Sequence, residues 1–261
     1  MLIDINSNTG HWPFQQLENN SCKDLLGLMN RYGVDLSVVS NMNGIFYKNT
    51  HSSNEELYNE INSDRRFKDR FIPFGIINPL YAGWKHDLDI CRNKFGMKGI
   101  RLYPVYHDYD LSDASCIELI RAARDKGMVV AFTSRMFDPR GPRHWMDTNV
   151  QLTLRDLFPV FKEVPDACYF LLNSGNIQLN EDEKNLFKKI NILVDTSGRI
   201  SNLYNHTEMY GAEKFAFGTH SPILDYLTGL LRIELHGNNG TDQNSLELLR
   251  SANALKMLVE T

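Results

Sequence analysis

The first apolar run of the chain, Leu2-Ile3-Asp4-Ile5-Asn6-Ser7-Asn8, sets two asparagines two positions apart. Alternate side chains of a β-strand share a face, so Asn6 and Asn8 point the same way. Two histidines at that spacing would grip a divalent metal. Two neutral amides hold a transition metal poorly; with Asn173 they could donate to an oxyanion or a sugar hydroxyl, or equally form a closed amide network in the metal's place. Further along, Arg101 interrupts an apolar run, and Arg135, Arg140 and Arg143 follow another. Guanidinium forks match carboxylate and phosphate oxygens in pairs. His220 is the best single candidate for acid–base work, because imidazole titrates near neutrality. Asp195 or Asp138 would orient it or act as a second base. A buried arginine in a strand needs a partner, and Asp4 or Asp195 could supply one. No Gly-x-Ser-x-Gly elbow marks a nucleophile. Ser174 and Ser221 suit turn and cap roles.

The elements that would carry these residues alternate from end to end. Strands are expected at 2–6, 36–40, 71–77, 97–103, 128–133, 167–173, 190–195 and 214–219. Helical patterns are expected from Ser21 and over 53–67, 83–95, 113–127, 152–164, 181–189, 201–210 and 223–235, with a final helix over 245–259. Asp113 is a fitting N-cap and Gly127 a fitting stop. Strands alternating with helices imply βαβ units and a parallel sheet. Eight units in 261 residues favour a closed (β/α)8 barrel, read as one domain over 1–261. No glycine-rich phosphate loop follows the first strand, which argues against a dinucleotide-binding sheet. The long irregular stretches 41–51 and 135–149 follow strands, so a barrel would place them at the C-terminal face, where active sites are built.

Composition excludes several classes. A net charge of −4 gives no reason to expect nucleic acid or an anionic membrane as partner. No apolar run approaches the roughly 20 residues of a membrane span, and the N-terminus lacks an export signal. A cytoplasmic location is expected. Cys22, Cys91, Cys116 and Cys168 match no metal or redox spacing and read as reduced thiols.

Four segments, in order, resemble one family. Ile3-Asp4-Ile5-Asn6-Ser7-Asn8 stands where the amidohydrolase superfamily carries Asp-x-His-x-His on its first strand. Gly99-Ile100-Arg101-Leu102-Tyr103-Pro104 resembles the Gly-Ile-Lys/Arg-Leu-x-Pro strand of its amidohydrolase-related (type 2) branch. Leu171-Leu172-Asn173-Ser174-Gly175-Asn176 resembles a Leu-x-His-x-Gly-Gly segment, and Phe217-Gly218-Thr219-His220-Ser221-Pro222 resembles Phe-Gly-Ser/Thr-Asp-x-Pro. His11-Trp12-Pro13-Phe14 resembles the aromatic segment that lines the family's pocket. The resemblance implies a (β/α)8 barrel and, usually, hydrolysis or decarboxylation at a divalent metal. At the implied ligand positions stand Asn6, Asn8, Asn173 and His220, and the fifth-strand position falls near Phe132 or Thr133. The standard metal site is therefore expected to be lost, with no cofactor in its place.

Three readings remain. The first is a metal-independent hydrolase of a small carboxylate-bearing ester or lactone. In it Arg101, Arg135 and Arg140, with Asn6, Asn8, Asn173 and Trp12, bind the substrate, and His220 with Asp195 or Asp138 does the chemistry. The second is a non-catalytic binding or scaffold barrel, and the third a metal-independent lyase or isomerase. The expected partner is a small anionic molecule. The resemblance also implies barrels that pair as a homodimer.

Overall fold

In the computed structural model the described residues are 1–138, 146–148, 150–198, 200, 202–238 and 243–259. Eight strands run in sequence order around one sheet: β1 (Ile3–Thr9), β2 (Leu36–Asn41), β3 (Phe71–Ile76), β4 (Gly99–Leu102), β5 (Val129–Thr133), β6 (Tyr169–Leu172), β7 (Ile192–Asp195) and β8 (Phe215–Ala216). Every neighbouring pair is parallel. The segment after β8 closes the ring against β1. Ile5 N donates to Phe217 O at 2.9 Å, His220 N to Asn6 O at 2.7 Å and Asn8 N to Ser221 O at 2.8 Å. The fold is a single (β/α)8 barrel, as the alternating pattern predicts.

Each strand alternates between two apolar layers. Ile3, Ile5, Val38, Phe74, Val129, Ala131, Phe170, Leu172, Leu193 and Ala216 fill the barrel interior. Ile100, Leu102, Val130, Phe132, Leu171 and Val194 face the surrounding helices. Gly99 makes room inside: a Cβ there would lie 2.4 Å from the Phe74 ring. Ala254, Met257 and Leu258 of the last helix pack onto the same interior cluster, at the end where the strands begin.

Strand β1 breaks the alternation. Its register against β2 shifts between Asp4 and Ser7. A bulge inserts an extra residue and reverses which face the following side chains take. Ile3 and Ile5 thus point inward at the bottom, and Asn6 and Asn8 point inward at the top.

The helices depart from the expected ranges at their ends. The second begins at Thr50, where the Asn49 side chain accepts from His51 N, and stops at Ser63 before a separate turn, Arg65–Lys68. The expected 152–164 helix is a 3₁₀ turn, Arg155–Leu157, running into Phe158–Glu163. The final helix contains a π segment, Leu248–Ala252. Cys22, Cys91 and Cys116 are buried free thiols, and Cys168 is half-buried. Among the described residues no helix is long and apolar enough to cross a membrane.

Candidate functional site at the barrel mouth

The C-terminal ends of β1, β4, β6, β7 and β8 deliver one buried polar network. Asn6, Asn8, Arg101, Asn173, Asp195 and His220 are each 0% exposed. Asn6 is its hub. Its Nδ2 donates to Asp195 Oδ2 at 2.6 Å and to Ser197 Oγ at 3.2 Å. Its Oδ1 accepts from Arg101 Nη2 at 2.9 Å and faces His220 Nδ1 at 3.3 Å. Arg101 Nη1 donates to Asn8 Oδ1 at 2.5 Å and to Ser7 O at 3.3 Å. The direct partners of Arg101 are therefore amides, not the carboxylates expected from the sequence. Asp195 reaches it only through Asn6.

Asp195 has its oxygens fully engaged. Oδ1 accepts from Asn173 N at 2.7 Å, and Oδ2 accepts from Asn6 Nδ2 and from Ser197 Oγ at 2.5 Å. Burial pushes its carboxyl up, against those hydrogen bonds and the Arg101 charge. It orients Asn6 and the backbone of Asn173 rather than His220. Asp4 is a second buried carboxylate, raised by burial to about 6. It accepts from Thr219 Oγ1 at 2.6 Å and from the Thr219 and Asn6 amides, and so holds the β8 end against β1.

The network fixes the histidine tautomer. Asn6 Oδ1 can only accept, so His220 Nδ1 carries the hydrogen and Nε2 carries a lone pair. Burial and the positive charges of Arg101 and Arg135 hold the imidazole well below its usual range, with Asp138 acting in the opposite sense. His220 is neutral. Both His220 (φ +56°) and Asn173 (φ +52°) adopt the left-handed region. Non-glycine residues rarely do so, and such positions cluster at functional sites.

Five buried polar atoms at this mouth lack a well-formed hydrogen bond: Arg101 Nε, Tyr103 Oη, Thr133 Oγ1, Asn173 Oδ1 and His220 Nε2. The Tyr103 hydroxyl lies within hydrogen-bonding reach of Arg101 and Thr133, so the two acceptors left open are Asn173 Oδ1 and His220 Nε2. Leaving a buried donor or acceptor unpaired costs about 1–3 kcal/mol each. Three of the five can donate and four can accept, the hydroxyls doing either. Tyr103 and Thr133 end two of the expected strands, and their parity with Arg101 and Ala131 is the sequence signal that they share this face.

The remaining candidates surround this centre. Asn173 Nδ2 donates to Arg135 O at 2.9 Å. Arg135 Nη1 donates to Gln151 Oε1 at 2.9 Å, and the residue also lines a surface cleft of about 510 Å³ with Ser134, Gln151, Ser174 and Asn176. Trp12 lies in an apolar roof with Met42, Ile45, Ile76, Tyr103 and Met136. Its ring meets those of Phe14, Phe46 and Tyr106 edge-on at 5.3–5.7 Å. Arg140, Arg143 and His144 lie outside the described residues.

The metal implied by the family resemblance does not fit these side chains. Asn6 and Asn8 turn their oxygens to a guanidinium, Asn173 offers a weakly ligating amide, and His220 Nε2 is left as a lone imidazole ligand. Among the described residues no group of three or more His, Cys, Asp or Glu could hold a metal ion.

Structural comparison defines the class of barrel. No family model matches the chain, and no curated protein does. Solved structures do match over its full length. 2,6-Dihydroxybenzoate decarboxylase from Rhizobium superposes with a TM-score of 0.72 at 13% identity, covering 99% of this chain and 98% of that one. A probable 2-pyrone-4,6-dicarboxylic acid hydrolase from Acinetobacter baumannii, solved with citric acid bound, gives 0.67 at 10% identity over 99% of both chains. An amidohydrolase from Mycobacterium avium subsp. paratuberculosis gives 0.65 at 14% identity over 91% and 73%. The chain has the fold of the amidohydrolase-related barrels, as the four motifs indicate.

Proposed function

We propose that the protein is a metal-independent hydrolase of a small ester or lactone that bears a carboxylate. The observation that carries this reading is the pair of buried open acceptors, His220 Nε2 and Asn173 Oδ1, set beside the Arg101, Tyr103 and Thr133 donors. A self-contained structural network would have closed on itself, because each open group is a standing cost. Hydrolases and decarboxylases share this barrel, so the chemistry is argued from the site alone.

In this reading Arg135, which lies between the buried centre and the cleft, takes the substrate carboxylate. The scissile carbonyl oxygen sits by Arg101 Nε and the Tyr103 and Thr133 hydroxyls, which stabilise the charge that develops there. His220 Nε2 accepts a proton from water as its oxygen bonds to the acyl carbon. The proton passes to the leaving alkoxide as the acyl–oxygen bond breaks. An imidazolium between two guanidiniums is unfavourable. A bound carboxylate neutralises Arg135 and raises the basicity of His220, so the base is strengthened by its own substrate. Asp138 works in the same direction. Asp195 acts as a positioning residue, through Asn6.

A binding or scaffold role is the second reading, favoured by one observation. The polar centre is wholly buried, and Tyr103, whose hydroxyl reaches it, belongs to the buried apolar cluster of Trp12, Met42 and Met136. A thermal-shift screen with hydroxy acids, lactones and esters bearing a carboxylate tests both, because a ligand raises Tm by mass action. The hydrolase reading expects a specific carboxylate to raise Tm, and the matching ester to be turned over by the wild type but not by His220→Gln. Binding with no turnover leaves the scaffold reading. No shift with any carboxylate refutes both.

A further inference from the structure

The strand-four motif carries Lys or Arg whether or not a metal is implied, but here Asn6 and Asn8, at the implied ligand positions, turn their oxygens to the Arg101 guanidinium. We infer that the Arg101 guanidinium is a built-in replacement for that metal ion, seated in a cradle formed by Asn6 and Asn8, and that the barrel mouth takes no divalent transition metal. The inference stands whether or not the barrel hydrolyses an ester.

Three features carry it. First, the cradle is directional. The guanidinium donates to Asn8 Oδ1 at 2.5 Å, to Asn6 Oδ1 at 2.9 Å and to Ser7 O at 3.3 Å. Secondly, both amides are locked with their oxygens inward. Asn6 Nδ2 is held by Asp195 at 2.6 Å and by Ser197 at 3.2 Å, and Asn8 Nδ2 points to Ser221 O at 3.4 Å. Thirdly, Arg101 is 0% exposed and among the bulkiest fully buried side chains of the protein. A guanidinium stays charged at any physiological pH. Its burial without an adjoining carboxylate requires acceptors that match its fork.

The same geometry explains why the two strand-one positions are asparagines. Each must present an acceptor to Arg101 and a donor to the other side. Asparagine does both with one planar group. A histidine that turned its lone pair toward a metal would offer Arg101 one acceptor, and once protonated would repel it. Asn6, Asn8 and Arg101 thus form one physical unit, in which a fixed monovalent charge replaces an exchangeable divalent one. Such a cation can stabilise a nearby negative charge, and it cannot ionise a bound water as a metal does.

Chemical rescue tests this. Arg101→Ala empties the cradle, and Tm should fall by on the order of 10 °C, as expected when a buried charged partner is removed. Low-millimolar methylguanidinium should then recover a saturable part of the loss in the variant. Ethylammonium and sodium chloride at equal ionic strength should not, and the wild type should not respond. Wild-type protein prepared with zinc, manganese or magnesium should hold none stoichiometrically, and a chelator should leave its Tm unchanged. Should Arg101→Ala fail to fold, Arg101→Met and Arg101→Lys carry the test: lysine keeps the charge without the fork and should fall between wild type and methionine. Stoichiometric metal whose removal lowers Tm would overturn the inference. So would a folded alanine variant indifferent to methylguanidinium, or a methionine variant as stable as the wild type.

Discussion

Replacing Asn6 by leucine should destabilise the barrel far more than its size change warrants. Leucine fills a similar volume and adds apolar contact, but it removes every polar link that Asn6 makes. Two of these are charge-assisted: Asn6 Nδ2 to Asp195 at 2.6 Å and Arg101 Nη2 to Asn6 Oδ1 at 2.9 Å. Hydrogen bonds to charged groups contribute about 1.5–3 kcal/mol each, so the pair accounts for roughly 3–6 kcal/mol. Added apolar burial returns about 1–2 kcal/mol. The net loss is therefore about 1–5 kcal/mol, centred near 3. For a domain of this size that corresponds to a fall in Tm on the order of 10 °C. Asn8→Leu breaks one charge-assisted bond, to Arg101 at 2.5 Å, and should cost about half as much. Urea unfolding of both variants, with m-values compared to the wild type, gives the two numbers. A double-mutant cycle with Arg101→Met should show strong coupling to Asn6, because the two share a bond. A loss under about 1 kcal/mol for Asn6→Leu at unchanged m would refute the assignment of Asn6 as the hub.

Other consequences follow from single residues. Burial raises Asp4 from 3.8 to about 6, so the folded protein binds this proton more tightly than the unfolded chain does. Its contribution is full below about pH 4 and is lost as pH rises to about 6. The stability of wild type relative to Asp4→Asn should therefore decline by about 3 kcal/mol across that window, read from urea melts at stepped pH. His107, which burial lowers to about 4, acts in the opposite sense: its contribution is present above about pH 6.5 and is lost as pH falls toward 4. His107→Gln should flatten that acid limb in the same melts. Gly218→Ala places a Cβ 2.6 Å from Asp195 Oδ2, and should cost about 1–3 kcal/mol through displacement of the carboxylate that holds Asn6. Trp12→Ala should cost about 3–5 kcal/mol.

Much of the fold was legible because its signals are local. Each strand is a short apolar run, and the caps and stops that bound several helices are adjacent residues. The bulge in β1 was not legible: no residue type announces the register shift between Asp4 and Ser7. Asn6 and Asn8 nevertheless share a face, as their spacing predicts, because the shift changes parity below both. The site was legible as a list of strand ends but not as a network. Asn6 meets Asp195 across 189 positions and His220 across 214, and nothing in the sequence says which strand end faces which. Arg101 was recognised as needing a partner, and carboxylates were the obvious candidates. The actual partners are two amides, because Asp195 is already held by Asn173, Asn6 and Ser197.

The central claim is hydrolysis at His220 with Arg101 in place of a metal. Its most direct test is the turnover of a carboxylate-bearing lactone or ester by protein stripped with a chelator, beside untreated protein and folded His220→Gln. Equal rates are expected with and without chelation, and loss of turnover in the variant with Tm retained. Activity that disappears on chelation and returns with added metal would contradict it.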